Sequence, residues 1–251
     1  MVQIYALDIS SLEMNAQYNR LLSCVSADQR KRIEQFHFAE DKKRTLYGDV
    51  LSRCVIGDLR HMPMGSIEFV KNKFGKPFAS GFPPVYFNIS HSGDWVICAV
   101  GEREVGVDVE EIKPIDLGIA RRFYTPNESR LVLSGCEEER LKTFYLLWTL
   151  KESYTKYVGK GLSIPLNSFE IVNTERGYSI AGLEDEIAMW SAGMSDRYII
   201  SICHLAAEPM SGIQILDARA LEKAAFFGGR QILRGQSPMP PMPIHMERIA
   251  A

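Results

Sequence analysis

The residues that decide the fold form the stretch Val105–Lys156, which begins with GVDVEEIK (Gly106–Lys113) and ends with WTLKESYTK (Trp148–Lys156). In the first motif, valines alternate with glycine and acidic residues, and this period of two predicts a β-strand. Because alternate side chains of a strand point to the same face, the carboxylates of Asp108 and Glu110 are expected to lie side by side.

The second motif predicts a helix on which Glu152 and Lys156 lie one turn apart, on the same face as Trp148. Two carboxylates from a strand and one from a helix are hard oxygen ligands, which suit Mg²⁺ with positions left open for phosphate oxygens. Lysines of the same helix can neutralise the remaining phosphate charge. The pattern therefore indicates chemistry on a phosphate ester or anhydride. On the residues alone, a charged edge strand and a surface Glu–Lys helix pair would explain it equally well.

Four further segments flank these motifs: RTLYGDVLSR (Arg44–Arg53), FGKPF (Phe74–Phe78), FNISHSGDWVICAV (Phe87–Val100) and GKGLSIPLNSF (Gly159–Phe169). Taken with the two motifs and in the same order, they resemble the 4′-phosphopantetheinyl transferases. Length and flanking segments are similar to those of the larger, surfactin-synthetase-activating (Sfp-like) type. The resemblance covers roughly residues 1 to 217, and six segments in one order make coincidence improbable.

The resemblance implies a metal site and a coenzyme A site. The implied Mg²⁺ ligands are Asp108, Glu110 and Glu152. The implied coenzyme A contacts are Arg32, Arg44, Thr45, Lys76, Ser90, His91, Lys151 and Lys156. Converging cations and hydroxyl groups suit a ligand that carries a 3′-phosphate and a pyrophosphate. One position departs from the family pattern, because Gln29 stands where the family has a basic residue. Either phosphate binding is weaker at that edge of the site, or Arg30 or Lys31 supplies the charge.

Three residues are candidates for catalysis. Glu152 is a metal ligand and a candidate acceptor for the proton of the attacking hydroxyl, directly or through water. Glu128, which matches another acidic family position, is the rival acceptor. Lys156 would stabilise charge on the leaving phosphate, and Lys151 would hold the pyrophosphate.

The composition is that of an ordinary globular protein large enough for one large domain or two small ones. Hydrophobic residues make up 46% of the 251 residues and charged residues 24%, with a net charge of -2. A nucleic-acid-binding protein would show a basic excess, so that class is not expected. The five cysteines have neither metal-ligand nor redox-pair spacing, and no segment is typical of a signal peptide or a membrane span. We expect a monomeric, cytoplasmic protein that does not bind membranes.

Helical and β-rich segments follow each other twice, which predicts an α+β protein of two similar halves. The resemblance adds a pseudo-twofold relation between the halves, with the active site at their interface. We assign residues 1–104 to an N-terminal half that forms the coenzyme A cradle, and residues 105–217 to a C-terminal half with the metal and catalytic residues. Residues 218–251 are predicted to form a short helix and a disordered tail rich in proline and methionine.

The function that these observations imply is Mg²⁺-dependent transfer of 4′-phosphopantetheine from coenzyme A to a serine of an apo peptidyl or acyl carrier protein, releasing 3′,5′-ADP. A hydrolase of nucleotide pyrophosphates could use the same carboxylates, and a non-catalytic coenzyme A-binding module could use the same cradle. The carrier is expected to dock beside residues 113–124, a segment with four apolar side chains: Ile115, Leu117, Ile119 and Phe123.

Overall fold

The structure, a computed structural model, describes residues 1–81, 83–175, 177–227 and 242–243. Its N-terminal part contains these elements: β1 (Val2–Asp8), α1 (Ala16–Cys24), α2 (Ala27–Glu34), α3 (Ala39–Arg60), β2 (Phe69–Lys71), β3 (Pro77–Ala79), β4 (Tyr86–Ser92) and β5 (Trp95–Gly101). The next part contains β6 (Val105–Glu111), α4 (Ala120–Phe123), α5 (Pro126–Val132), α6 (Glu137–Val158), β7 (Ile171–Thr174), β8 (Gly177–Ile180), β9 (Ile187–Ser195) and β10 (Tyr198–Leu205). The last described elements are β11 (Met210–Leu216), α7 (Ala218–Phe227) and β12 (Met242–Pro243).

Two sheets and two long helices form the layers of the molecule. The first sheet has the strand order β11-β1-β5-β4, the second has the order β6-β10-β9-β8-β7, and β2 and β3 form a separate hairpin. One apolar core joins α3 to the first sheet, a second joins α6 to the second sheet, and a third lies between the two sheets. The predicted α+β class with two halves is confirmed.

The last strand and helix return to the N-terminal half. β11 pairs in parallel with β1 in the first sheet, although it was predicted to belong to the C-terminal half. The helix α7 packs in the same core through Leu221, and the hydroxyl of Tyr47 donates to Glu222 Oε1 at 3.2 Å. β11 therefore belongs to the sheet of the N-terminal half, although it lies within residues 105–217, which were predicted to form the C-terminal half. A strand can add to a sheet edge from any distance along the chain.

The predicted tail, residues 228–251, lies outside the described residues apart from Met242–Pro243. These two residues pair antiparallel with Gly193 and Ala192 of β9. Of the helices that the structure describes, none has the length and apolar character needed to cross a membrane.

Gly106, the glycine of the GVD motif, is required by the packing of α6 on β6. A Cβ atom at this position would lie 2.0 Å from the carbonyl oxygen of Ser153 and 2.4 Å from the backbone nitrogen of Tyr157. Only glycine therefore lets the helix backbone approach the strand this closely. The close approach brings the side chains of α6 next to those of β6.

Candidate active site

The two halves meet where β4 runs beside β6, the edge strand of the second sheet. Side chains of β4 take the place of a backbone partner for β6. Three hydrogen bonds of 2.9, 3.2 and 3.1 Å form this contact, which we call the β4–β6 seam: Val107 N to Asn88 Oδ1, Val109 N to Ser90 Oγ, and Glu111 N to Ser92 Oγ. The seam satisfies N–H groups that an edge strand would otherwise leave unpaired.

Asp108 lies at this seam and is only 3% exposed. Its Oδ1 accepts hydrogen bonds from Lys156 Nζ at 2.6 Å and from the Ser90 hydroxyl at 2.8 Å. Lys156 Nζ also donates to Ser90 Oγ at 3.0 Å. Asp108 Oδ2 is buried and has no hydrogen-bond partner among the described residues. A buried carboxylate oxygen without a partner costs free energy, so a ligand for it is expected.

Glu110 and Glu152 are half-buried near Asp108. Burial and the negative charge of Asp108 raise the pKa of Glu110 to about 7, and the charge of Glu152 adds to this, while the hydrogen bond from Ser92 and the charge of Lys156 oppose it. Burial and then the charge of Asp108 also raise the pKa of Glu152. The three carboxylates therefore repel one another, and one lysine does not neutralise them.

Within the described part of the chain, no group of three or more His, Cys, Asp or Glu side chains is gathered in a geometry ready to hold a metal ion. Lys156 occupies one oxygen of Asp108. The residues nevertheless fit a divalent cation. Asp108 Oδ2 lacks a partner, the carboxylates are hard oxygen donors, and a cation would relieve the charge that raises two pKa values.

A cavity of about 750 Å³ opens on the other face of β4. Its walls come from α2, α3, β4 and the β2–β3 hairpin, and three predicted coenzyme A contacts line it: Arg32, Thr45 and His91. Burial lowers the pKa of His91, and the charges of Lys156 and then Arg44 lower it further. The imidazole therefore lies within electrostatic reach of Lys156, the lysine that is bound to Asp108.

Arg44, another predicted coenzyme A contact, is not among the residues that line the cavity. Its guanidinium donates to the carbonyl oxygen of Gly93 at 3.1 Å and to Asp41 Oδ1 at 2.7 Å. Gln29, at the position where the family has a basic residue, lines the cavity as Arg32 does.

Four charged residues that line this cavity were not predicted as site residues: Asp28, Asp49, Arg53 and Lys71. Arg53 Nε donates to Asp49 Oδ2 at 2.6 Å, and the guanidinium lies over the Phe69 ring at 4.5 Å. Lys71, on the hairpin, also lines the cavity. The sequence signal was the i, i+4 spacing of Thr45, Asp49 and Arg53, which puts them on one face of α3.

Lys76 does not line the cavity. Its Nζ donates to Glu104 and, at 3.1 Å each, to the carbonyl oxygens of Val105 and Tyr157. All three N–H bonds of the ammonium are used, so the predicted contact with coenzyme A is not supported. Lys76 instead ties the hairpin to β6 and to the end of α6.

Glu128 and Lys151 form a fully buried ion pair of 2.8 Å. Lys151 Nζ also donates to the carbonyl oxygens of Leu166 and Phe169, while Glu128 accepts the backbone N–H groups of Thr125 and Ile171. Both side chains are fully buried and hydrogen-bonded to protein groups, so this geometry does not support the predicted roles of Lys151 as a pyrophosphate ligand and of Glu128 as a proton acceptor, which stay predictions.

Ser90, predicted to contact coenzyme A, has its hydroxyl bound to protein groups of the carboxylate cluster. Its hydroxyl donates to Asp108, accepts the N–H of Val109 and accepts from Lys156, so the residue acts inside the carboxylate cluster. Of the predicted set, the structure brings together Ser90, Asp108, Glu110, Glu152 and Lys156.

Two family models match adjacent parts of the chain. Residues 13–103 match the N-terminal region of 4′-phosphopantetheinyl transferases, and residues 104–203 match the 4′-phosphopantetheinyl transferase superfamily. The chain is also similar to curated proteins of Bacillus. It is 43% identical to the 4′-phosphopantetheinyl transferase ffp of Bacillus subtilis over 176 residues, which cover 70% of this chain and 79% of that protein.

Two further relatives extend this similarity. Identity is 40% over 170 residues with the 4′-phosphopantetheinyl transferase Sfp of Bacillus subtilis strain 168, covering 68% of this chain and 76% of that protein. Identity is 37% over 221 residues with psf-1 of Bacillus pumilus, covering 86% of this chain and 95% of that protein. The chain therefore belongs to the 4′-phosphopantetheinyl transferase superfamily and, within it, to the Sfp-like enzymes.

Proposed function

We propose that this transferase moves the 4′-phosphopantetheine group of coenzyme A to a serine hydroxyl of an apo carrier protein, releases 3′,5′-ADP and requires Mg²⁺. The observation that carries the proposal is the state of Asp108 at the seam. One oxygen is held by Lys156 and Ser90, and the other is buried without a partner among the described residues. A carboxylate in this state can bind a cation together with a phosphate-bearing ligand.

Asp108, Glu110 and Glu152 would hold the Mg²⁺. When bound, the ion neutralises charge on the pyrophosphate oxygens and so favours displacement at phosphorus. Ser90 and Ser92 orient two of these ligands, since their hydroxyls donate to Asp108 and Glu110 at 2.8 Å each.

Two side chains of α6 would act on the reacting groups. Lys156 is 27% exposed and keeps its ammonium beside Asp108, where it can stabilise charge on the leaving phosphate. Glu152 is half-buried beside Asp108, and its carboxylate would accept the proton of the attacking serine, directly or through water.

The cavity between α3 and β4 would hold the 3′,5′-ADP part of coenzyme A. Arg32, His91 and Lys71 supply cationic or polar contacts for phosphate, and Thr45 supplies a hydroxyl. His91 lines the cavity and lies within electrostatic reach of Lys156, which is bound to Asp108, so a ligand in the cavity would direct its pyrophosphate toward Lys156.

The carrier would dock beside residues 113–124. Ile115 is 38% exposed, and the same segment carries the exposed cations Lys113, Arg121 and Arg122. Phe123 is less available, because its ring packs edge-on against Trp148 at 5.5 Å. Ile115→Asp is therefore the sharper test of this surface, and it should weaken carrier binding in calorimetry while coenzyme A binding stays unchanged.

We further expect peptidyl carriers of nonribosomal peptide synthesis to be substrates, and acyl carriers to be tolerated. The reaction would take place in the cytoplasm, where the five cysteines remain the free thiols that the structure shows. A monomer would suffice, because both halves of the site come from one chain.

One experiment tests the proposal. The enzyme is incubated with coenzyme A, Mg²⁺ and an apo peptidyl carrier domain, and the carrier is weighed by mass spectrometry. We expect a phosphopantetheine adduct that disappears with EDTA or when the carrier serine is replaced by alanine. Release of 3′,5′-ADP without any carrier would instead identify a hydrolase, and coenzyme A binding without turnover would identify a binding module.

A further inference from the structure

Ser92, the last residue of β4, joins the seam to the carboxylate cluster. Its hydroxyl donates to Glu110 Oε2 at 2.8 Å, and the same oxygen accepts the N–H of Glu111 at 3.1 Å. The backbone bond uses a lone pair of the oxygen, which leaves the O–H free to point at the carboxylate. Ser92 therefore has a fixed direction in which to hold Glu110.

We propose that Ser92 is a positioning residue for Glu110 and, through it, for the divalent cation of the transfer reaction. The inference rests on the function proposed above. Glu110 has three rotatable side-chain bonds, and the attraction of Lys156 is opposed by the like charges of Asp108 and Glu152, so the hydrogen bond from Ser92 is the directional contact that holds it. The hydroxyl of Ser92 supplies that constraint from the other half of the molecule.

The same arrangement occurs two residues earlier. Ser90 donates to Asp108 at 2.8 Å and accepts the N–H of Val109 at 3.2 Å. Because both strands have a period of two and run side by side, each serine of β4 meets the acidic residue and the N–H that follows it on β6. The spacing S-x-S on one strand thus matches the spacing D-x-E on the other.

Asn88 occupies the third position of the seam and provides a matched control. Its Oδ1 accepts the N–H of Val107 at 2.9 Å, and among the described residues it has no hydrogen bond to a carboxylate. Ser92→Ala and Asn88→Ala each remove one seam hydrogen bond, but only Ser92→Ala removes a donor to a proposed metal ligand. A purely structural role predicts the same effect for both variants.

The test measures metal binding without carrier protein or turnover. Mn²⁺ is titrated into each protein with coenzyme A present, and free Mn²⁺ is followed by electron paramagnetic resonance, corrected for the Mn²⁺ that coenzyme A binds alone. Loss of an outer partner of a metal ligand costs about 10–100-fold in affinity, and we expect Ser92→Ala to weaken Mn²⁺ binding to this extent. Ser92→Thr, which keeps the hydroxyl, should restore it, and Asn88→Ala should bind Mn²⁺ like the wild type.

Each other result overturns the inference. Equal Mn²⁺ binding by Ser92→Ala and the wild type would show that the hydroxyl does not position the site. Equal weakening by Ser92→Ala and Asn88→Ala would show that the seam acts only on the fold. A wild-type protein that binds no Mn²⁺ would overturn the proposed metal site as well, so the two failures are distinguishable.

Discussion

Two clusters of charged residues contain neighbouring residues of α6. They differ in how many of their charged atoms have a hydrogen-bond partner in the protein. Lys151 and Glu128 are fully buried, and every charged atom of the pair has a hydrogen-bond partner in the protein. One residue further on, Glu152 lies with Asp108 and Glu110 in a cluster that has excess negative charge and a buried oxygen with no partner in the described chain. We call Lys151 and Glu128 the closed pair, and Asp108, Glu110 and Glu152 the open cluster. The closed pair stabilises one conformation, whereas the open cluster can still bind a ligand.

The comparison shows why neighbouring motif residues can have opposite purposes. Successive residues of a helix are about 100° apart, so Lys151 points into the core of the second half while Glu152 points to the seam. The same segment, WTLKESYTK, thus contributes one residue to stability and others to the site. Charge and family position do not separate these two purposes.

The largest effect is expected from breaking the closed pair. Lys151→Met leaves the Glu128 carboxylate buried without its cation, which typically costs about 3–5 kcal/mol of unfolding free energy. Chemical denaturation measures this loss. The matched control is Lys142→Met, because the exposed Lys142–Glu138 pair has a similar distance of 2.7 Å and is worth about 1 kcal/mol at most. Equal losses for the two variants would contradict the distinction between closed and surface pairs.

Breaking the open cluster should affect activity and leave the fold intact. Asp108→Asn replaces a charged proposed metal ligand by a neutral amide. Loss of a residue that only holds a metal ligand costs up to about 100-fold, so we expect turnover at saturating Mg²⁺ to fall by more than this. The melting temperature should stay constant or rise. Near-normal turnover would remove Asp108 from the metal site, and a large fall in melting temperature would make it structural.

A change in the cavity lined by His91 should have an intermediate effect, which falls on coenzyme A binding. His91→Ala should raise the KM for coenzyme A, because a polar contact to phosphate is worth about 1.5–3 kcal/mol. The same variant should discriminate less between coenzyme A and dephospho-coenzyme A. Lys76→Ala should lower stability and leave that discrimination unchanged, since its ammonium is already bound by Glu104 and two carbonyl oxygens. Reversed results would put Lys76 in the ligand site.

The charge of the open cluster should also appear in the pH dependence of stability without metal. The pKa of Glu110 is about 7 in the folded protein and ordinary, 4.5, in the unfolded chain. The folded state therefore binds more protons between these values, and the associated stability is present at low pH and lost as pH rises through 7. Glu110→Gln should match the wild type near pH 4 and exceed it by about 1 kcal/mol near pH 8 in EDTA. Denaturation at both pH values checks this, and a constant difference would refute it.

The smallest effect is expected from removing residues 228–251. The described residues of this segment, Met242 and Pro243, pair with Gly193 and Ala192 of β9 and with none of the charged residues of the two clusters. A chain that ends at Phe227 should keep its turnover and lose less than about 0.5 kcal/mol, as measured by thermal unfolding. A larger loss would mean that the tail contributes to the fold.

Local sequence pattern predicted much of the open cluster. A period of two put Asp108 and Glu110 on one face of β6, and a helical spacing put Glu152 and Lys156 on one face of α6. The glycine of GVD needed the structure for its explanation, because its role depends on how closely Ser153 and Tyr157 approach from α6. The position of β11 beside β1 was also beyond the sequence, since pairing between distant strands leaves no local signal.

By itself, the sequence determined the fold class, the family and the carboxylates of the site, because these depend on periodicity and on motifs within short segments. Only the tertiary structure decided which charged residues are open to a ligand. Lys76, Lys151 and Glu128 carry the right charges for phosphate chemistry, yet neighbours from distant segments use their atoms completely. The physical reason is that burial and hydrogen-bond partners, which come from packing between segments, determine what a charge can do.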